Sequence, residues 1–460
     1  MRLTAALAAG GLLLLPAVAS GQGGGTAPAD TTADRAGGDG ADARPGAPVA
    51  ADTLARPVSP DSAARIREGL RRPPGEPPFD ALDAVALPFR VATYPLVLVG
   101  EGVAAGLGLI SQTGPPPFYV GVFRSLSRWG LRAGVESIGP RSGPAGELEL
   151  TRWEPLFVRT AWSIRGSRDH RAGLRWSGNP GRVSVAFGFH RDAEPRFWGL
   201  GPGTPSSDRS DFQHDRLHAT LRGELRPSGP WTLGLVAGWE ESEVEGGADG
   251  SSPDLPEVFD PATLFGAAER TRFLRVGPRV ELDLTDRVGF QRRGLATGGA
   301  ADLYRGVGST EADFHRLRGW LEGYLPANLR QSLALRAEAE VNRGDAGRGV
   351  PFTHMPTLGD RPGGRGYPDG RFRARDLLAL SAEWRWEAWR ELQGRLRAEG
   401  FVFFEEGTTV RDLSELTGSD LRPSWGGGLR LVGRDGLAAR AFLADGEEGV
   451  RVQFDFSAEF

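Results

Sequence analysis

The stretch VRVQFDFSAEF, Val450 to Phe460, decides how the chain is read. Val450, Val452, Phe454, Phe456, Ala458 and Phe460 are apolar, while Arg451, Gln453, Asp455, Ser457 and Glu459 fall between them. Side chains alternate faces along a strand, so this period of two makes one apolar face and one polar face. The same alternation runs through Leu378, Leu380, Ala382, Trp384 and Trp386 against Ser381, Glu383, Arg385 and Glu387. It recurs in Leu333, Leu335, Ala337, Ala339 and Val341, and in Leu274, Val276, Val280, Leu282 and Leu284. A soluble sheet with one wet face carries the same pattern, so one strand does not separate a sandwich from a membrane barrel. Length and repetition separate them. Many segments approach the ~9–11 residues of a tilted membrane strand, and they recur from about residue 116 to the end.

The pattern predicts strands over 130–138, 145–152, 155–166, 169–178, 181–191, 212–226, 231–243, 271–286, 296–306, 311–325, 329–342, 372–387, 391–405, 424–434, 437–445 and 449–460. That is sixteen, an even number, as closed single-chain bacterial barrels have. Pro227-Ser228-Gly229 and Asp435-Gly436 make short turns, whereas 192–211, 244–270, 343–371 and 406–423 are long. Short turns and long loops fit periplasmic and extracellular ends respectively. The expected fold is an all-β transmembrane antiparallel barrel over residues 116–460, preceded by a short amphipathic helical segment.

Composition narrows the chemistry. The 460 residues contain no Cys and no Lys, so all 55 basic residues are Arg. This excludes disulfides, thiolate metal sites, catalytic thiols, a P-loop lysine and Schiff-base chemistry. A net charge of −4 is too balanced for a polyanion binder, and no nucleic-acid partner is expected. A mean hydropathy of −0.31 argues against a helical membrane bundle but suits alternating strands.

Ahead of the barrel, Arg2, the apolar run Leu3–Leu15 and the small residues Ala17 and Ala19 read as a signal peptide over 1–19. Residues 20–78, rich in Gly, Ala, Pro and Asp, are too poor in apolar side chains to fold and read as a periplasmic linker. Residues 79–115 are apolar but broken by Pro88 and Pro95. Glu101 and the glycines make a spanning helix costly there, so a kinked amphipathic segment at the interface or against the barrel is expected.

Within 343–371 lies GDRPGGRGYPDGRF, and FVFFEEGTTV follows at Phe401–Val410. These segments resemble the bacterial surface antigen superfamily, the barrels of outer-membrane assembly factors and two-partner secretion transporters. The resemblance implies a long loop folded into the lumen with an R-G-F/Y tip, matched by Arg365, Gly366 and Tyr367. Gly364 stands where the family has an aliphatic residue. It implies a partner motif F-x-D-x-G on the strand after next, matched by Phe403, Glu405 and Gly407, with Glu in place of Asp. Glu405 shares parity with Arg395, Arg397 and Glu399, the polar face, so an inserted Arg365 can meet its carboxylate in a bidentate pair. Five strands follow the loop, the number the family has. The terminal Phe454, Phe456 and Phe460 resemble the signal read by the barrel-assembly machinery, and RFWGLGPGT at Arg196–Thr204 is similar to a family segment. Members that transport usually carry periplasmic POTRA domains, for which 20–78 has too little apolar sequence.

An enzyme is not expected. No G-x-S-x-G or H-E-x-x-H occurs, and His214 and His218, four apart on a strand, are not a helical metal pair. Glu240, Glu241, Glu243 and Glu245, and Asp208 with Asp211, read as solvated charge rather than a cation site. No metal or other cofactor is expected. The implied setting is the outer membrane with a periplasmic N-terminus, with outer-membrane lipids as partners, the assembly machinery during biogenesis and a periplasmic protein partner. The implied role is assistance with protein or lipid insertion or translocation; a passive pore or a display barrel remains the alternative.

Overall fold

A computed structural model of the chain describes residues 130–457, apart from 137, 140–141, 144, 152–154, 248–251, 289–290, 329, 346–348, 391–395 and 434–437. The chain divides into two units, Met1–Arg56 and Pro57–Phe460, and every described residue belongs to the second. The expectations for the signal peptide, the linker, the 79–115 segment and Phe460 lie outside the described residues.

Among the described residues sixteen strands form the wall: β1 (Leu131–Glu136), β2 (Ala145–Leu150), β3 (Leu156–Ser163), β4 (Arg168–Ser177), β5 (Gly181–Asp192), β6 (Ser210–Leu225), β7 (Trp231–Gly246), β8 (Thr271–Asp283), β9 (Gln291–Gly306), β10 (Asp313–Asn328), β11 (Gln331–Gly344), β12 (Asp376–Arg390), β13 (Leu396–Val410), β14 (Arg422–Gly433), β15 (Ala438–Gly446) and β16 (Gly449–Ser457). Each pairs antiparallel with the next in chain order. The all-β antiparallel expectation holds, and strand ends shift by a few residues. One shift matters: Phe372–Arg373 leaves the predicted strand and pairs instead with Thr357–Leu358, lengthening the loop before β12 to 345–375.

The long connections 193–209, 247–270, 345–375 and 411–421 all follow odd-numbered strands and so sit at one end of the sheet. The turns at the other end, such as 178–180 and 226–230, are short. The sheet curls around the 345–375 loop, which reaches β6 through Phe352 against Phe212, and β16 through Arg365 against Gln453.

The two faces differ as the alternation requires. Val183, Val185, Phe187, Trp231, Leu233, Leu235, Leu317, Leu321 and Leu325 are exposed on the outer face. The inner face carries the buried carboxylates Glu338, Glu340, Glu383 and Glu405 and, with the loops, four buried clusters, among them Phe273, Tyr304, Phe314 and Val350, and Phe401, Phe403, Phe442 and Ala444. The core is therefore inside the barrel, where loops pack against the wall, and the apolar residues outside face away from it.

Candidate functional site

The loop between β11 and β12 enters the lumen as a small hairpin whose tip runs from Gly359 to Gly370. Arg365 at that tip has no exposed surface. Its Nε donates to Glu405 Oε1 at 2.7 Å, and its backbone N–H donates to Glu405 Oε2 at 3.0 Å. Its Nη1 donates to Glu383 Oε2 at 2.7 Å, and Nη2 reaches Ser381 Oγ at 3.4 Å. Ser381 and Ser424 hydroxyls also donate to Glu405, at 3.0 and 3.2 Å. Glu383 takes a further bond from Arg385 at 2.7 Å. The guanidinium lies 3.7 Å from the centroid of the Phe403 ring. A charge held dry in this way needs pairing and saturated hydrogen bonds, and both are present.

The bidentate pair expected with Glu405 alone is replaced by a bridge between two carboxylates. The cause is register: Ser381 lies directly opposite Glu405, and Glu383 opposite Phe403, on the same inner face. Glu383 is thus one inward position along the neighbouring strand, near enough to take the second arm of the fork.

The neighbours explain the tip sequence. A Cβ at Gly366 would fall 2.7 Å from the Asp445 carbonyl oxygen and 2.7 Å from Ser424 Cβ, so only glycine allows the approach. Tyr367 is buried; its hydroxyl donates to the Pro423 carbonyl at 2.9 Å and accepts the Glu447 N–H at 3.3 Å. A Cβ on Gly364 would lie 2.8 Å from Leu358 Cγ. Leu358, fully buried with Tyr367, Phe372 and Leu377, supplies the aliphatic packing beside the tip. Gly407 leaves room for the Gly363 carbonyl and the Leu358 side chain.

Three further contacts fasten the loop. Arg371 donates to Glu448 Oε1 at 2.6 Å and to the Thr204 hydroxyl and carbonyl at 2.8 and 2.6 Å. Arg373 donates to the Phe352 carbonyl at 2.8 Å, and its guanidinium faces the rings of Phe197, Phe212 and Phe352. His354 Nε2 lies 2.5 Å from Glu240 Oε1, with its ring among Phe273, Tyr304 and Phe314. The Arg196–Thr204 segment is thus a clasp on the loop, joined also by a bridge between Gly201 and Arg373. Burial raises the Asp369 carboxyl to about 6, and the charges of Asp360 and Asp192 add to the effect.

The structure gathers Arg365, Gly366, Tyr367, Phe403, Glu405 and Gly407 into one place. Phe454 stands apart on β16, exposed on the outer face, and Phe456 lies in the same strand. Glu240 does not belong to a solvated cluster: it turns inward along β7 and pairs with His354. Glu241, Glu243 and Glu245 share the outer face, where Arg270, Arg272 and Gln213 are their partners and Glu245 is exposed. Asp211 is buried beside Arg209, so it too departs from the solvated reading. Sequence reasoning missed Glu383, Ser381, Phe442 and Gln453. Their inward parity was readable, but their nearness to residue 365 depends on register and on where the loop lands.

The sequence matches no protein-family model and no curated protein. Among solved structures the chain is similar to BamA from Haemophilus ducreyi lacking POTRA domains 1-3, with 12% identity, 72% of this chain and 76% of that chain covered, and a TM-score of 0.49. It is similar to CdiB from Escherichia coli, with 13% identity, coverage of 71% and 62%, and a TM-score of 0.47. For CdiB from Acinetobacter baumannii the identity is 12%, the coverage 68% and 55%, and the TM-score 0.42. The chain spans less than two-thirds of either CdiB chain. BamA and CdiB are outer-membrane β-barrels of the surface antigen superfamily, the family that the Arg365-Gly366-Tyr367 and Phe403, Glu405, Gly407 motifs resemble.

Proposed function

We propose that this chain is an outer-membrane barrel of the surface antigen superfamily, with its lumen occupied by its own 345–375 loop, which assists insertion or translocation of protein or lipid without catalysing a covalent step. The observation that carries the reading is the outer face. Apolar residues run outward from Leu317 to Leu325 on β10 and from Leu274 to Leu284 along β8 and the turn after it. At ~3.3 Å per residue and a tilt of ~40°, these stripes stand roughly 20–25 Å tall, close to the ~25 Å apolar band of membrane barrels. Charged pairs flank the band: Arg272 with Glu241 at the long-loop end, and Arg293 with Asp286 at the short-turn end. A soluble barrel gains nothing from leaving such stripes in water.

The loop supports the second half of the proposal. It is bonded to the closing hairpin at Gln453, Glu447 and Glu448, and to the early segment at Thr204. Displacing it breaks the Arg365 network and frees the terminal strands together. A substrate that binds at that hairpin therefore acts on the plug, and a plug that moves alters the hairpin. A second reading, a barrel that conducts small solutes, draws on the exposed cations of β4 to β6.

The sequence lacks cysteine, so single cysteines report topology cleanly. Ser419, exposed in the long loop after β13, and Ser228, exposed in the short turn after β6, are the sites. With an impermeant maleimide on intact cells, S419C labels and S228C labels only after the outer membrane is permeabilised. Equal labelling of both on intact cells, or recovery of the protein in the soluble fraction, refutes the membrane reading.

A further inference from the structure

The two halves of the lumenal wall are charged differently. On β10 to β14 the inward arginines are matched: Arg318 with Glu340 at 2.5 Å, Arg336 with Glu322 at 2.8 Å, Arg385 with Glu383 at 2.7 Å and Arg430 with Glu399 at 2.5 Å. The carboxylates Glu338, Glu340, Glu383, Glu399 and Glu405 are buried there. On β4 to β6 the inward positions are the odd residues of β4 and the even residues of β5 and β6, because Leu174, Trp176, Val183, Val185, Phe187, Leu221 and Leu225 are exposed on the outer face. Those inward positions hold Arg171, Arg175, Arg182, Arg216 and Arg222, all exposed. Residues that turn away from the outer face and are still wet border open space in the lumen.

Among the described residues, Arg182, Arg216 and Arg222 make no ion pair or hydrogen bond. Arg171 is paired with Asp169 at 3.0 Å, and Arg175 lies against the Phe157 ring at 4.7 Å. The cross-strand partners set their heights: His190 lies opposite Arg216, Ser184 opposite Arg222, and Arg182 opposite Glu224. Arg216 and Arg222 are separated by six residues of one strand, about 20 Å at ~3.3 Å per residue. The cations therefore form a staircase along the lumen from the long-loop end to the short-turn end. Glu224, Asp192 and Asp169 are the acids on the same wall, fewer than the arginines.

Resting on the membrane reading above, we propose that this wall is an anion path: small phosphate- or carboxylate-bearing solutes, and chloride as their simplest stand-in, pass along β4 to β6 beside the docked loop. Unpaired guanidinium groups lower the free energy of an anion and raise that of a cation within a Debye length, ~8 Å at physiological salt. The matched half of the wall adds no opposing field.

The test is the reversal potential of the full chain in planar bilayers across a tenfold KCl gradient. The expected chloride to potassium permeability ratio is about 3 or more near 0.1 M salt, falling toward about 1 near 1 M, where the Debye length is ~3 Å. The triple variant R182Q/R216Q/R222Q brings the low-salt ratio to unity or below, and R182K/R216K/R222K keeps the anion preference. These side chains have no partner to lose, so both variants fold. A cation-preferring or unselective wild type, a glutamine triple that stays anion-selective, or an inserted barrel that passes no current overturns the anion path. Failure of the purified protein to insert into bilayers at all overturns the membrane reading beneath it.

Discussion

Removing the Arg365 side chain tests the loop most directly. In Arg365→Ala, Glu405 keeps the hydroxyls of Ser381 and Ser424 and the backbone N–H of residue 365, and loses its only cation. Glu383 keeps Arg385. Arg365 and Glu405 have no exposed side-chain surface and Glu383 has 2%. Breaking a buried pair and leaving one charge behind costs about 3–5 kcal/mol. The cation–π contact with Phe403 accounts for roughly 1–2 kcal/mol of that order. The loss falls on loop docking rather than on the wall, because the β12 to β14 pairings are backbone ladders. Arg371 and Arg373, followed by Phe372 and Ala374, are tryptic sites within the loop, so the assay is proteolysis of the folded, lipid-inserted barrel. If cleavage tracks the open population, its rate rises by roughly two to three and a half orders of magnitude. Glu405→Ala gives a similar rise, and the double variant adds far less than the sum, with a coupling of about 1–3 kcal/mol. Wild-type protection in Arg365→Ala, or additivity of the two changes, refutes the bridge as the anchor.

Three other outcomes follow from the same geometry. Gly366→Ala pushes a methyl group against Asp445 and Ser424 and weakens docking by about 1–3 kcal/mol, read as faster hydrogen exchange in 359–370; unchanged exchange there shows that the close approach is not needed. The Asp369 carboxyl is raised from 3.8 to about 6, so its docked form holds the proton more tightly than the free loop. Docking is then strongest below about 4 and weakens as the pH rises through about 6; exchange corrected for its intrinsic rate slows on acidification, and Asp369→Asn reduces that slope. Leu321→Arg places a charge on the outer face at mid-height and costs about 2–4 kcal/mol of stability in lipid, measured by reversible unfolding in vesicles; a neutral effect refutes lipid contact at that site.

The wall was legible because a barrel reads its own strand period. Trp384 and Leu335 announce one face and Glu383 and Arg336 the other without reference to anything distant. The site was legible only in part. Glu405 could be assigned to the lumen from parity alone, and Arg365 to a loop tip from its glycine-rich surroundings. That Glu383 takes the second arm of the guanidinium depends on the β12 to β13 register. Among the glutamates of β7 it is Glu240 that sequence placed wrongly, because contiguity suggests one solvated patch, whereas alternation sends Glu240 inward to His354 and leaves Glu241, Glu243 and Glu245 on the outer face.

Sequence by itself determined the class of fold, the faces of the strands and the kind of side chain on each face, since these follow from local stereochemistry and a period of two. Tertiary structure decided which charges meet. Pairing is a matter of which residues the register sets side by side: Arg336 lies opposite Glu322, whereas Arg222 lies opposite Ser184 and Val236. The −4 net charge is balanced over the whole chain. Within the lumen that balance breaks into a neutralised half that holds a loop and a cationic half left open to solvent.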